Sequence, residues 1–268
     1  MVKVRSPLNW YGGKFRLADT LIEEITSIPH DTYIEGFGGA GQVIFAKPAS
    51  KVDVYNDIHP GLFNFFSVLR EQPVALETAI TLTPYARQEF INCQEWASAN
   101  TPLEKARQFY VTVHQSFASL LNNWSYGIGT IRRGMSVSVS RWLTNVEVKL
   151  PLAAGRLNNI HLENMDFADL IAKYDAPGTL FYLDPPYVPA TRVSPNEYNH
   201  EMTYADHERL VEILKTIRGS VILSGYDNDL YDTLGWEKKI ISVYTTTFSK
   251  QGERGTSRTE VIWVKRND

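Results

Sequence analysis

The sequence predicts an α/β fold in which a mostly parallel β-sheet is closed by an antiparallel hairpin. Three observations predict it. Short apolar runs alternate with stretches whose apolar residues recur at helical spacing, the pattern of βαβ units. The last two apolar runs are close in sequence, separated by the Gly- and Arg-containing loop 249–258, so they pair antiparallel. The alternation is also interrupted once, from about residue 60 to 156, which marks an inserted segment of different architecture.

Taken in order, Leu17, Leu21, Ile22 and Ile25 share one face of a helix over 16–27 that stops before Pro29. Strands are expected at 32–35, 52–56, 179–183, 220–224, 239–244 and 259–264. Helices are expected at 40–47, 60–70, 166–172 and 205–217. Within the interruption, 84–99 and 103–121 read as helices, and 122–142 is rich in Asn, Ser, Gly, Arg and aromatics. Three segments follow: 1–59, 60–156 and 157–268.

Bulk properties exclude more than they select. A net charge of −3 is no footprint of nucleic-acid binding, so any such surface must be local. Across 123–156, Arg132, Arg133, Arg141, Lys149 and Arg156 stand against one acid, Glu147, which makes the insertion a candidate reader of a polyanion. Its plain alternative is a solvated helical lid. The one cysteine, Cys93, rules out an internal disulfide and fits a reducing cytosol. No apolar stretch approaches the roughly 20 residues that span a bilayer, and no signal-peptide core opens the chain. A cytoplasmic protein without a membrane partner is expected, and no metal-ligand cluster is seen.

Two stretches carry chemistry. Glu35-Gly36-Phe37-Gly38-Gly39-Ala40-Gly41 follows the first strand, and its glycines allow a tight turn and close approach to a ligand. Gly36, Gly38 and Gly41 satisfy the dinucleotide spacing, and Asp57 ends the next strand where an acid accepts from ribose hydroxyls. These features fit a nicotinamide or any other adenosine-containing cofactor. The prefix Pro7-Leu8-Asn9-Trp10-Tyr11-Gly12-Gly13-Lys14 is unexpected in a nicotinamide fold, which opens on its strand. Trp10 offers a face for a sulfonium and Lys14 an ammonium for a carboxylate, the two charged features of the methionine half of S-adenosylmethionine.

The second stretch is Leu180-Phe181-Tyr182-Leu183-Asp184-Pro185-Pro186-Tyr187. An apolar strand ends in a carboxylate, a rigid Pro-Pro backbone and an aromatic ring, a set suited to gripping the amino group of a planar base. A strand leading into a Pro-rich turn is the plain alternative.

In this order the pieces resemble the Dam-like, D12 class of DNA adenine-N6 methyltransferases. The resemblance covers Trp10 to Lys14, Tyr33 to Gly41, Tyr55 to Asp57, Asn164 to Asp166, Leu183 to Tyr187 and the tail from Ser220. It implies a Rossmann-like, S-adenosylmethionine-dependent catalytic domain with a mainly helical target-recognition insertion at 60–156. It also implies double-stranded DNA as substrate and a cognate restriction enzyme as a candidate partner. Trp10 and Lys14 would contact the methionyl end of the cofactor, and Glu35, Phe37 and Gly39 would line the first turn. Asp57 would take the ribose and Asp166 would lie near the cofactor adenine, where a helix cap is the alternative. Asn9 stands where some relatives carry a basic residue that touches DNA.

The expected reaction is direct methyl transfer to N6 of an adenine flipped out of the duplex. The Asp184 carboxylate, which also faces the cofactor, and the Pro185 carbonyl would accept from the amine, while Tyr187 stacks on the ring. If stacking matters more than the hydroxyl, Tyr187→Phe should be mild and Tyr187→Ala severe, and equal losses from both would count against stacking. Asn122 and Asn123 would meet adenine edges, Arg132 or Arg133 guanine or phosphate, and Trp124 and Tyr126 would wedge into the stack or support the loop. Lys250, Arg254 and Arg258 form a second phosphate-contact candidate. Rival readings are methyl transfer to cytosine N4, RNA adenine or a glutamine amide, a nicotinamide oxidoreductase, and a DNA-binding protein with a vestigial fold.

Overall fold

The computed structural model describes residues 4–10, 17–117, 121–127, 129–188, 201–244 and 257–267, with the backbone alone at 242–244 and 257–259. Lys14, Lys250 and Arg254 lie outside the described residues. The elements run α1 (Ala18–Ser27), β1 (Thr32–Glu35), α2 (Gln42–Ala46), β2 (Val52–Asn56), α3 (Pro60–Glu71), α4 (Pro73–Thr81), α5 (Arg87–Asn92) and α6 (Pro102–Gln115). They continue with β3 (Ile131–Arg132), β4 (Met135–Ser136), α7 (Val137–Thr144), α8 (Leu150–Leu157), β5 (Ile160–Glu163), α9 (Phe167–Tyr174) and β6 (Thr179–Leu183). The last are α10 (Tyr204–Lys215), β7 (Ser220–Tyr226), α11 (Asp229–Asp232), β8 (Glu237–Tyr244) and β9 (Ser257–Lys265). The chain forms two compact units: 1–14, 39–48 and 59–164, and 15–38, 49–58 and 165–268.

The second unit is mixed α/β. Its strands lie in the order β2-β1-β6-β7-β9-β8. The pairs β1–β2, β1–β6 and β6–β7 are parallel, whereas β7–β9 and β8–β9 are antiparallel. The terminal hairpin is present as the sequence predicts, with the last strand seated between β7 and β8. Every residue of β6 is buried, which is why it reads as a continuous apolar run rather than an alternating one. Ile34, Val54, Phe181, Leu183, Val221, Leu223, Val261 and Trp263 pack with Leu170 of α9 and Leu210 and Leu214 of α10 in one core. A capping box starts α10: the Thr203 hydroxyl accepts from the Asp206 amide, and the Asp206 carboxylate accepts from the Thr203 amide.

The first unit is mainly helical. Some of its helices start at side-chain caps: the His59 ring accepts at Nδ1 from the Gly61 and Leu62 amides ahead of α3, and Thr101 accepts from Glu104 ahead of α6. The helix expected at 103–121 ends at Gln115, because Ser116 is extended and bridges Trp124 antiparallel. The helix expected at 84–99 is shorter too. Ala86 is extended, α5 covers Arg87–Asn92, and a 3-10 turn follows at Trp96–Ser98. Between α7 and α8, Asn145–Lys149 is π-helical. Pro151 has no N–H to return to the carbonyl of residue 147, which favours the wider winding.

That π-turn carries Asn145, whose side-chain nitrogen lies 3.0 Å from Nδ1 of His114, while His114 Nε2 lies 2.9 Å from the Pro7 carbonyl. A carbonyl only accepts, so the proton sits on Nε2 and Nδ1 accepts from Asn145. Burial first, and Lys149 second, push His114 down to about 3, against the opposing pull of the Pro7 carbonyl. The folded chain therefore holds His114 neutral where the unfolded chain, titrating near 6.5, is protonated. The contribution is complete above pH 6.5 and is lost as pH falls from there towards 3. Between pH 7 and pH 5 the urea-unfolding free energy is expected to drop by about 2 kcal/mol more than in His114→Asn. Parallel pH dependence in the two proteins would refute this.

Candidate active site

The carboxyl ends of β2, β1 and β6 lie side by side, because the three strands are parallel neighbours. The chain moves outward from β1 to β2 on one side, while β6 and then β7 extend the sheet on the other. The interval between β1 and β6 is thus a topological switch point, the crevice where open α/β sheets bind ligands. Glu35 ends β1, Asp57 follows β2 and Asp184 follows β6. At roughly 4.8 Å per strand, β2 and β6 are about 10 Å apart across the edge.

Asp184 is held from β7. The register that pairs Leu183 with Leu223 brings Ser224 beside it, and Ser224 Oγ donates to Asp184 Oδ1 at 2.8 Å. Tyr182 Oη lies 3.2 Å from the same Ser224 Oγ. A serine has one proton to give, so the direction is fixed: Tyr182 donates to Ser224, and Ser224 donates to the carboxylate. The chain locks the Asp184 rotamer while its side chain stays partly exposed. Pro185 is buried. Tyr187, 8% exposed, packs its ring 4.2 Å from that of Tyr226 at 56°. Its hydroxyl donates to Glu260 Oε2 at 2.5 Å, a partner the sequence does not reveal.

The glycine turn is tightly built. A Cβ on Gly36 would stand 2.6 Å from Leu183 Cδ2, and one on Gly38 would stand 2.2 Å from the ring of Tyr55. Gly39 and Gly41 have φ of +50° and +69°, the left-handed region that favours glycine. Glu35 is 2% exposed and accepts from Tyr33 Oη at 2.9 Å. Burial, with the charge of Glu35 next, raises the Tyr33 phenol well above its ordinary value, so it remains a donor.

Asn56, at the end of β2, ties this edge together. Its Nδ2 donates to the Gly36 carbonyl at 2.8 Å and to the Met165 carbonyl at 3.1 Å, and its Oδ1 accepts from the Met165 amide at 3.0 Å. The next residue, Asp166, is the N-cap of α9. It accepts from the Ala168 amide at 2.9 Å and pairs with Arg209 at 2.5 Å. Arg209 also sits 4.8 Å over the Phe167 ring, which lies 5.8 Å from half-buried Phe37. The cap anticipated for Asp166 is therefore present.

In the first unit, Trp10 borders Gly39, where an added Cβ would stand 3.3 Å from the indole, and packs on His59 and Phe109 at 5.3 and 5.7 Å. Asn122, Asn123, Tyr126, Arg132 and Arg133 are exposed, and Trp124 is half-buried. Trp124 and Tyr126 stack 5.4 Å apart at 19°, and Arg87 lies over both, 4.9 and 5.7 Å from the ring centroids. Sequence reasoning missed Arg87 as well as Asn56, Ser224 and Glu260. Arg133 pairs with Glu147 at 3.8 Å. Cys93 is buried, and its thiol is pushed up to about 12 chiefly by burial, so it is no nucleophile. Among the described residues no group of three or more His, Cys, Asp or Glu is placed to hold a metal ion, and no helix is long and apolar enough to cross a membrane.

Residues 10–247 match the family described as D12 class N6 adenine-specific DNA methyltransferase. The chain belongs to this family. Among similar proteins is the DNA N-6-adenine-methyltransferase of Escherichia phage P1, 25% identical over 268 residues, which cover 94% of this chain and 34% of the phage protein. The Type II methyltransferase M1.LlaDCHI of Lactococcus lactis subsp. cremoris is 23% identical over 97% of this chain and 95% of its own. The DNA adenine methylase of Serratia marcescens is 25% identical over 86% of each. This chain thus spans about a third of the phage protein's length and most of the other two. Membership in the D12 class favours methyl transfer over nicotinamide chemistry as the reaction class.

Proposed function

We propose that the chain transfers a methyl group from S-adenosylmethionine to N6 of an adenine flipped out of duplex DNA at a specific sequence. The observation that carries the reading is Asp184 at the tip of β6, locked by Ser224 beside the switch point and followed by a rigid Pro-Pro-Tyr turn. The cofactor is supported by the donor chemistry of the same edge. Asp57 is set to accept from ribose hydroxyls, the Gly36–Gly38 backbone can be approached closely, and Phe37 is a half-buried aromatic face. When bound, S-adenosylmethionine supplies an electrophilic methyl on a sulfonium. Glu35, Phe37 and Asp57 hold the nucleoside, with Asp166 beside its base.

The adenine amine is a poor nucleophile because its lone pair is delocalised into the ring. The Asp184 carboxylate and the Pro185 carbonyl accept its two hydrogens, which favours a pyramidal nitrogen and exposes the lone pair. Asp184 need not be a strong base, because the methylated amine loses its proton readily. Positioning and fixed electrostatics supply most of the acceleration. Tyr187 stacks on the extruded ring, returning about 1–3 kcal/mol of the unstacking cost.

Residues 60–156 act as the target-recognition insertion. Asn122 and Asn123 contact bases, and Arg132 and Arg133 contact bases or phosphates. Trp124 and Tyr126, with Arg87 over both, form a stacking element. The setting is the cytoplasm, and the Type II name of the Lactococcus relative makes a restriction enzyme a candidate partner. The test is expression in a host lacking adenine methylation, followed by single-molecule sequencing of its plasmid DNA. N6-methyladenine confined to one short motif is expected, and methylation at cytosine N4, or none, would overturn the reading.

A further inference from the structure

We infer that Glu260 is a positioning residue for the methyl-transfer step, acting through Tyr187. The inference rests on the proposed role of the 184–187 turn and deepens it. Tyr187 is held at two points. Tyr226 packs against its ring at 4.2 Å, and Glu260 accepts its phenol proton at 2.5 Å. Both holding residues come from one place in the sheet, because Tyr226 of β7 and Glu260 of β9 are directly opposed in the antiparallel register. The anchor is therefore built on paired strands rather than on a loop.

The identity of residue 260 is unusual for its setting. Ile262 and Val264, on the same face of β9, are 3% and 2% exposed. A carboxylate at the end of such a face is costly unless hydrogen-bonded, and the phenol is one donor that meets the cost. Stacking on a base needs only a ring, and tyrosine at 187 adds a hydroxyl that stacking does not require. The Glu260 bond gives that hydroxyl its use, since it fixes where the far end of the ring lies and so its tilt towards the base, while Tyr226 against the ring limits its rotation. A misplacement of about 1 Å at such a surface can cost about 100-fold in rate. The loss should appear in kcat rather than in KM for DNA, because the ring meets the base after the duplex is bound.

The experiment measures steady-state and single-turnover methylation of a duplex carrying the motif found by plasmid sequencing. Glu260→Ala is expected to lower kcat about 10- to 100-fold, with KM for DNA within about twofold. Glu260→Gln, whose amide oxygen still accepts from Tyr187, should recover most of that loss. Tyr187→Phe/Glu260→Ala should be no slower than the slower single variant. With 2-aminopurine as the target base, emission on binding should be higher in Glu260→Ala than in wild type, because the extruded base stacks less well. An unchanged kcat in Glu260→Ala, equal losses with Ala and Gln, or multiplying losses in the double variant would each overturn the inference. Should Glu260→Ala fail to fold, Glu260→Gln in the Tyr187→Phe background decides instead. There the carboxylate has already lost the phenol, so Gln must not slow the enzyme further, and a further slowing overturns the inference. Asp184→Ala separates the two levels. Turnover retained there sinks the reading of the 184–187 turn, whereas an inactive Asp184→Ala beside a fully active Glu260→Ala sinks the role of Glu260 alone.

Discussion

Asp184→Ala is expected to lower single-turnover methyl transfer by about 100- to 1,000-fold, the scale of losing a fixed electrostatic group at the reacting atom. Affinity for duplex DNA should stay within about threefold, because the proposed contact of Asp184 is with the one flipped adenine, while the insertion is proposed to hold the rest of the duplex. Stability should change little. The carboxylate is partly exposed, and its removal ends one hydrogen bond from Ser224, worth about 1 kcal/mol. Asp184→Asn is the sharper variant. Its amide oxygen can still accept from Ser224, but the lock then turns the NH2 towards the adenine amine, donor against donor. Asn should therefore be nearly as inactive as Ala despite its matching shape. A wild-type rate in either protein would remove Asp184 from the reaction.

The sequence revealed those parts of the molecule whose signal is local. β1, β2 and β6 are observed at the bounds expected from their apolar runs, and the Asp184–Tyr187 turn declares itself because Pro, Asp and Tyr each restrict the backbone or carry a functional group. Asp166 was legible as a cap because a cap is defined within a few residues. Elements whose identity depends on distant partners were not legible. The strand β5 (Ile160–Glu163) is too mixed in polarity to stand out, with His161 exposed and Leu162 and Glu163 half-buried. The helix expected at 103–121 is longer than the observed one because nothing near Gln115 in the sequence stops a helix, and the bridge from Ser116 to Trp124 that ends it is a tertiary event.

The same division explains the residues missed in the site. Ser224 reaches Asp184 across 40 residues and Glu260 reaches Tyr187 across 73. Neither carries a motif of its own. Their meaning comes from register: β7 beside β6 sets Ser224 against Asp184, and β9 opposite β7 sets Glu260 against Tyr226. Sequence reasoning could place a carboxylate and a ring at a strand tip, but not what holds them. For this reason the sequence alone does not decide whether the ring or the hydroxyl of Tyr187 matters more.

Asn56→Ala is expected to damage the fold and the proposed cofactor edge together. The side chain is 2% exposed, and it satisfies the carbonyls of Gly36 and Met165 and the amide of Met165, groups 20 and 109 residues away in the chain. Alanine leaves three backbone groups without that partner in a buried place, at a cost of about 3 kcal/mol in all. The melting temperature should fall by about 5–10 °C. The local effect matters more for function. Gly36 precedes Phe37 and Met165 precedes Asp166, so a single amide fixes two segments that carry proposed cofactor contacts. Calorimetric titration with S-adenosylhomocysteine should show a Kd raised at least about tenfold, one lost interaction of about 1.4 kcal/mol being enough for that. Asn56→Asp separates hydrogen bonding from volume. Its carboxylate can accept from the Met165 amide but sets lone pairs against the carbonyls of Gly36 and Met165, so it should bind no better than Ala despite a nearly identical shape. An Asn56→Asp protein with wild-type affinity would show that shape alone holds this edge, and that the three hydrogen bonds do not.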